Sequence, residues 1–208
     1  PTGVGNKATV LMDGPKTATA NYQLQYYLTV TSLYDTPTPT SGWLDNGTSI
    51  TASVTSPWAG PTGVQYVCTG WTGTGSVPPS GSSTSVTFTI NQPSSITWNW
   101  KTQYELRATS RYGTTGGQDW YDSGATAYAT LNTGTVDHGN GTRRVFTNWR
   151  GDASGTNFTQ SDPMMMTSAK TALANWKIQY NVTFTHSGLD PSASGTVTTV
   201  NGTQVTFN

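Results

Sequence analysis

The sequence predicts an all-β chain made of tandem small antiparallel β-sandwich modules, either immunoglobulin-like or of another β-repeat type. Three observations carry that expectation. Apolar residues alternate at period two, as where Leu28 and Val30 flank Thr29, and Leu106 and Ala108 flank Arg107. The chain holds 41 Thr and 20 Ser, residues that suit solvent-facing strand positions, and turn-forming Gly, Pro, Asn and Asp punctuate it densely. One line recurs three times, ending in Gln25-Tyr26, Gln103-Tyr104 and Gln179-Tyr180.

The spacing of those lines divides the chain. Gln25, Gln103 and Gln179 lie 78 and 76 residues apart. Residues 25–102 form a first repeat and residues 103–178 a second, each with five to seven short strands predicted. Tyr34 matches Tyr112. The stretch from Gly42 to Ile50 matches Asp119 to Ala127, and Tyr66 to Gly73 matches Arg144 to Gly151. Each unit closes on Asn-Trp-Lys, at Trp100 and Trp176. Residues 1–24 read as the last quarter of a preceding repeat, with Thr9 to Pro15 matching Thr87 to Pro93. Residues 179–208 read as the first third of a following one. The run from Met164 to Trp176 has helix-friendly composition, but it aligns with two strand-like partners and is assigned as strand.

Composition excludes several function classes. Charged residues make up only 10% of the chain and formal net charge is zero, so no basic field is available to attract nucleic acid or an anionic membrane surface. No apolar run reaches the length of a membrane span. The chain starts Pro-Thr-Gly-Val-Gly and shows no signal peptide, so a secreted protein would already have lost its leader. Cys68 is the lone cysteine, which rules out an intrachain disulfide. It aligns with the inward Phe146 and reads as a buried small hydrophobe. Trp98 aligns with Ala174, so a small residue at 68 and a large one at 98 balance core volume between the repeats.

The repeated pattern resembles the InlB-type B-repeats. Its residues here are Tyr104 and Leu106, then Trp120, Tyr121, Asp122 and Gly124, then Phe146, Trp149, Gly151 and Asp152, then Trp176 and Lys177. The first unit departs from it at Cys68 and Thr74. The resemblance implies tandem β-modules of long bacterial and archaeal cell-surface or secreted proteins, used as spacers, stalks or adhesive elements. It brings no catalytic residues.

Candidate sites follow from what does not repeat. Trp43/Trp120, Trp71/Trp149 and Trp100/Trp176 recur in register and read as core or turn cover. Trp58, Tyr27, Tyr66 and Tyr121 do not recur and are the candidate ligand-binding aromatics. Trp58 sits in the Pro-Gly-rich stretch Thr55 to Gly63. Asn46, Asn140, Asn157, Asn181 and Asn201 each head a glycosylation sequon. Asp45 and Asp122 hold equivalent turns, so they are not a glycosidase pair. The two histidines lack metal-ligand spacing, no nucleophile elbow is present, and no cofactor is implied. Arg150-Gly151-Asp152 spells an adhesive tripeptide but coincides with the W-x-G-D turn, which accounts for its Gly and Asp.

The expected function is therefore structural or adhesive, at the cell surface or outside the cell, and not enzymatic. Strand-like residues at both ends, Thr9, Val10 and Met12 on one side and Val182, Phe184, Val205 and Phe207 on the other, suit head-to-tail joining of subunits by strand complementation into a pilus-like filament. Glycans or a host surface are further expected partners. The competing expectation is a carbohydrate-binding accessory module using Trp58.

Overall fold

The structure, a computed structural model, describes residues 9–184 and 195–202. It is all-β: among the described residues there is no helix, so none is long and apolar enough to cross a membrane. Residues 9–24 carry no strand, and the first element is β1 (Gln25–Thr31). The first repeat continues through β2 (Gly42–Asp45), β3 (Ser49–Ser53), β4 (Trp58–Ala59), β5 (Val64–Thr74), β6 (Ser80–Gly81) and β7 (Ser85–Thr89) into the long β8 (Ser94–Ser110). The second follows with β9 (Thr115–Gly116), β10 (Asp119–Asp122), β11 (Thr126–Ala127), β12 (Thr130–Leu131), β13 (Thr135–Asp137), β14 (Thr142–Gly151), β15 (Met164–Met165) and β16 (Lys170–Phe184). β17 (Gly195–Val200) comes last. The methionine-rich run is strand, in β15 and β16, as its alignment required.

Backbone pairing repeats with the sequence. β1 meets β2 antiparallel, with Gln25 opposite Asp45 and Tyr26 opposite Leu44. The start of the second repeat does the same, with Gln103 opposite Asp122 and Tyr104 opposite Tyr121. Gln179 and Tyr180 take the same place against Val200 and Thr199. Asn-Gly and Ser-Gly turns follow these strands, and Gly47, Gly124 and Gly202 adopt the positive φ such turns require.

One pairing departs from the expected antiparallel sandwich. The opening strand of each repeat lies parallel to its own closing strand, with Leu28 opposite Ser94 and Leu106 opposite Lys170. The reason is connectivity. β8 closes the first repeat and, without a turn, opens the second; β16 does the same one repeat later. Parallel strands need a long crossover between them, which β2 to β7 provide in the first repeat and β9 to β15 in the second. The repeat edges at 102/103 and 178/179 fall inside continuous strands.

The chain forms two compact units. Among the described residues, unit 1 holds 9–32, Thr36–Val54 and Gly70–Trp98; unit 2 holds Leu33–Asp35, Thr55–Thr69, 99–184 and 195–202. The core of unit 1 includes Leu28, Ile50, Ala52, Val86, Phe88, Ile96 and Trp98, drawn from alternate positions on β1, β3, β7 and β8, and Ile90 just after β7. In unit 2, Leu106, Ala108, Phe146, Trp149, Met164, Met166, Ala172 and Ala174 are buried together, and Tyr104, Tyr121, Phe158 and Trp176 pack around them. Cys68 is buried, as its alignment with Phe146 implied.

Candidate binding surface

Unit 2 carries two aromatic platforms, one from each repeat. In the first, Tyr34 lies face to face on Tyr66, ring centroids 3.6 Å apart and planes at 8°. Trp100 meets Tyr34 edge-on at 5.8 Å. Period-two geometry explains part of the grouping: Tyr66 and Cys68 share one face of β5, and Trp100 and Tyr104 share one face of β8. Burial, and then the neighbouring Tyr66 phenol, push the Tyr34 hydroxyl above its ordinary pKa.

Trp58 joins this platform through the backbone. It is not a free loop residue but belongs to β4, directly opposite Tyr66. Pro57 and Pro61 bracket this strand and keep it short. The segment is fastened to β5 by Ser56, whose Oγ accepts the Cys68 backbone N–H at 2.9 Å. Trp58 remains 39% exposed. Of the four candidate aromatics, the structure therefore brings Trp58 and Tyr66 together.

In the second platform the equivalent tyrosine is Tyr112, with Trp176 edge-on at 5.6 Å. The place of Tyr66 is taken by Arg144, whose guanidinium lies 5.3 Å from the Tyr112 ring centroid. Arg111 sits 5.7 Å from the same centroid, and the His138 ring at 5.9 Å. A cleft of about 190 Å³ opens here, lined by Arg111, Tyr112, Arg144, Ala174, Asn175 and Trp176. A larger cleft of about 420 Å³ lies over the paired ends of β14 and β16, lined by residues including Asp137, Thr142, Arg143, Gln179, Tyr180 and Asn181.

The other two candidate aromatics lie elsewhere. Tyr27, in unit 1, faces its cross-strand partner Trp43 at 5.3 Å and 73°. Trp43 is 66% exposed, so this recurring tryptophan is surface rather than core. Tyr121 packs on the unit 2 core, donates its hydroxyl to the Gly117 carbonyl at 2.8 Å, and has its pKa raised, first by burial and then by Asp119. Arg111 and Arg144 escaped the sequence reading because they lie 33 positions apart. The signal was available: Arg144 stands where the first repeat has Tyr66.

The carboxylates have local partners. Asp45 accepts the Gln25 side-chain amide at 2.7 Å, and Asp122 accepts that of Gln103 at 2.8 Å. Lys101 also pairs with Asp122, and its hydrogen bond, followed by that of Gln103, holds the Asp122 carboxyl below its usual value. Asp152 accepts the Thr171 backbone N–H at 2.8 Å, so the acid of the Arg-Gly-Asp tripeptide is bound to the closing strand. Gly151 adopts φ +85° there, and a Cβ would lie 2.7 Å from the Thr171 carbonyl.

Among the described residues, no group of three or more His, Cys, Asp and Glu could hold a metal ion. Asn46, Asn140, Asn157, Asn181 and Asn201 are all exposed. Thr9, Val10 and Met12 lie in the strand-free segment, Val182 and Phe184 in β16, while Val205 and Phe207 lie outside the described residues. No family model matches the chain, and neither a curated protein nor a solved structure matches it.

Proposed function

We propose that this chain is a structural, adhesive protein of the extracellular cell surface, a filament subunit or stalk segment whose β-repeats continue from one to the next. The supporting observation is the continuous strand: β8 closes one repeat and opens the next, so a repeat terminates in an element its successor needs. Such a chain carries load along hydrogen-bonded strands and requires no catalytic group.

The joining step takes a second copy. Beyond its contact with β14, β16 pairs with β17 on one edge, and its other edge at 182–184 has no partner among the described residues. In the two full repeats that edge is covered by the closing strand. Residues 16–20, which hold the closing-strand position in sequence, are exposed and unpaired as a strand. The register of Leu28 with Ser94 and of Leu106 with Lys170 would set Lys16 of one copy opposite Val182 of the next. A head-to-tail contact of this kind does not close and produces a fibre.

Negative-stain electron microscopy of the 208-residue chain at micromolar concentration tests this. Regular filaments with a one-subunit axial repeat are expected, and removal of residues 1–24 should abolish them. Monodisperse short particles would overturn strand joining.

A second function is favoured by exposed indoles in each unit, Trp43 against Tyr27 in unit 1 and Trp58 in unit 2: carbohydrate binding, with sugar rings stacked on either indole. Retention on an insoluble polysaccharide, lost in Trp43→Ala and Trp58→Ala, would support it.

A further inference from the structure

We propose that the cleft over Tyr112 and Trp176 binds a saccharide bearing a carboxylate or sulfate, held by Arg111 and Arg144. The site is independent of the filament reading and of the neutral aromatic surface around Trp58.

Four observations point there. First, two guanidiniums flank one tyrosine ring, at 5.3 and 5.7 Å from its centroid. Both also line the same cleft, and two like charges sharing one cleft repel each other and gain from an anion bound there. Second, neither arginine has a carboxylate within ion-pairing distance among the described residues. In a chain with as many Asp and Glu as Lys and Arg, that leaves the pair electrostatically uncompensated. Third, Arg144 Nε is buried and makes no hydrogen bond. No protein acceptor holds the guanidinium at that nitrogen, and Arg144 lines the cleft, where an anionic oxygen is the acceptor that matches a guanidinium best. Fourth, the cleft has an aromatic side. Trp176 is held by its own hydrogen bond from Nε1 to Ser110 Oγ at 3.0 Å and stands edge-on to Tyr112. Guanidiniums beside fixed aromatic rings suit a flat, apolar ring face that carries a negative group, which is the surface of an acidic sugar. The cleft of about 190 Å³ is smaller than the ~300 Å³ or more of a drug-sized pocket, so it takes one sugar residue of a longer chain.

The first repeat provides the control. There the position of Arg144 is Tyr66, stacked on Tyr34, and the position of Arg111 is Leu33, which is exposed. The same backbone thus supports a neutral platform, and a variant carrying Arg111→Leu and Arg144→Tyr transplants residues already accommodated in the equivalent frame.

The experiment is calorimetric titration of the full chain with a galacturonic acid oligosaccharide, a heparin oligosaccharide, a neutral malto-oligosaccharide and inorganic sulfate. At least one acidic oligosaccharide should bind, more weakly as salt rises, and should bind about tenfold more weakly to the double variant. The melting curve of that variant should match the parent. Nuclear magnetic resonance of the unsubstituted chain provides a check that needs no variant: the Arg144 Nε–H and Trp176 Nε1–H signals should move with the acidic sugar. Neutral sugar binding as tight as acidic, unchanged affinity in the double variant, or sulfate alone matching the oligosaccharides would each overturn the proposal. So would the absence of shifts at Arg144 and Trp176.

Discussion

The two full repeats hold one backbone frame with different side-chain chemistry. In the second, the carboxylate of Asp152 receives the Thr171 N–H, with the Lys170 ammonium 3.9 Å away. In the first, the same two positions are Thr74 and Ser95, joined hydroxyl to hydroxyl at 2.7 Å. Beside Trp149 the second repeat places Phe146, ring centroids 5.4 Å apart, and the small Ala174 across the strand pair. Beside Trp71 the first repeat places Trp98 at 5.8 Å. The aromatic neighbour thus comes from a different strand in each repeat. The register of the strands sets what must be bridged or filled; several residue types can do it once the volume is right.

The largest test concerns that filling. Trp98→Ala removes the ring beside Trp71 and should cost about 3–5 kcal/mol in chemical denaturation. Leu173→Ala, at a half-exposed position on a neighbouring closing strand, should cost well under a third of that. Similar losses from the two changes would mean the ring at 98 does not fill the unit 1 core.

A smaller effect sharpens the difference between the repeats. Trp149 Nε1 donates to the Asn157 carbonyl at 3.0 Å, whereas Trp71 Nε1 is buried without a partner. Trp149→Phe breaks a hydrogen bond and should cost about 1–3 kcal/mol more than Trp71→Phe, which removes a donor that has nothing to bind. The reverse order in thermal or urea unfolding would break the comparison.

The smallest expected effect is ionic. Lys101 and then Gln103 stabilise the Asp122 carboxylate, so its folded pKa lies below the unfolded one. The resulting stability is fully present above the ordinary aspartate value and is lost as pH falls through the lowered folded value. Both partners are largely solvated, which keeps the contribution slight. Lys101→Met should raise the Asp122 pKa in a carboxyl-detected titration; an unmoved titration curve would remove Lys101 as the cause.

Much of the architecture was legible before any coordinates. Alternation at Leu28, Val30, Leu106 and Ala108 told strand from helix, because period two and period 3.6 bury different residue sets. The Gln-Tyr and Asn-Trp-Lys lines gave the register because equivalent residues meet equivalent partners. The parallel contact of opening and closing strands was not legible, since either direction buries the same alternate residues. Trp43 misled for a related reason: recurrence fixes a place in the frame but not which face of the sheet meets solvent.

The sequence by itself determined the β class, the repeat length and the alternating faces, because these depend on local periodicity and on residues compared across a fixed spacing. Only the tertiary structure decided that Trp58 lies opposite Tyr66, that Arg111 and Arg144 converge on Tyr112, and that Asp152 is tied to Thr171. Those meetings join residues 8 to 33 positions apart. Chain reversal and strand register bring them together, and neither is encoded in any one of the residues that meet.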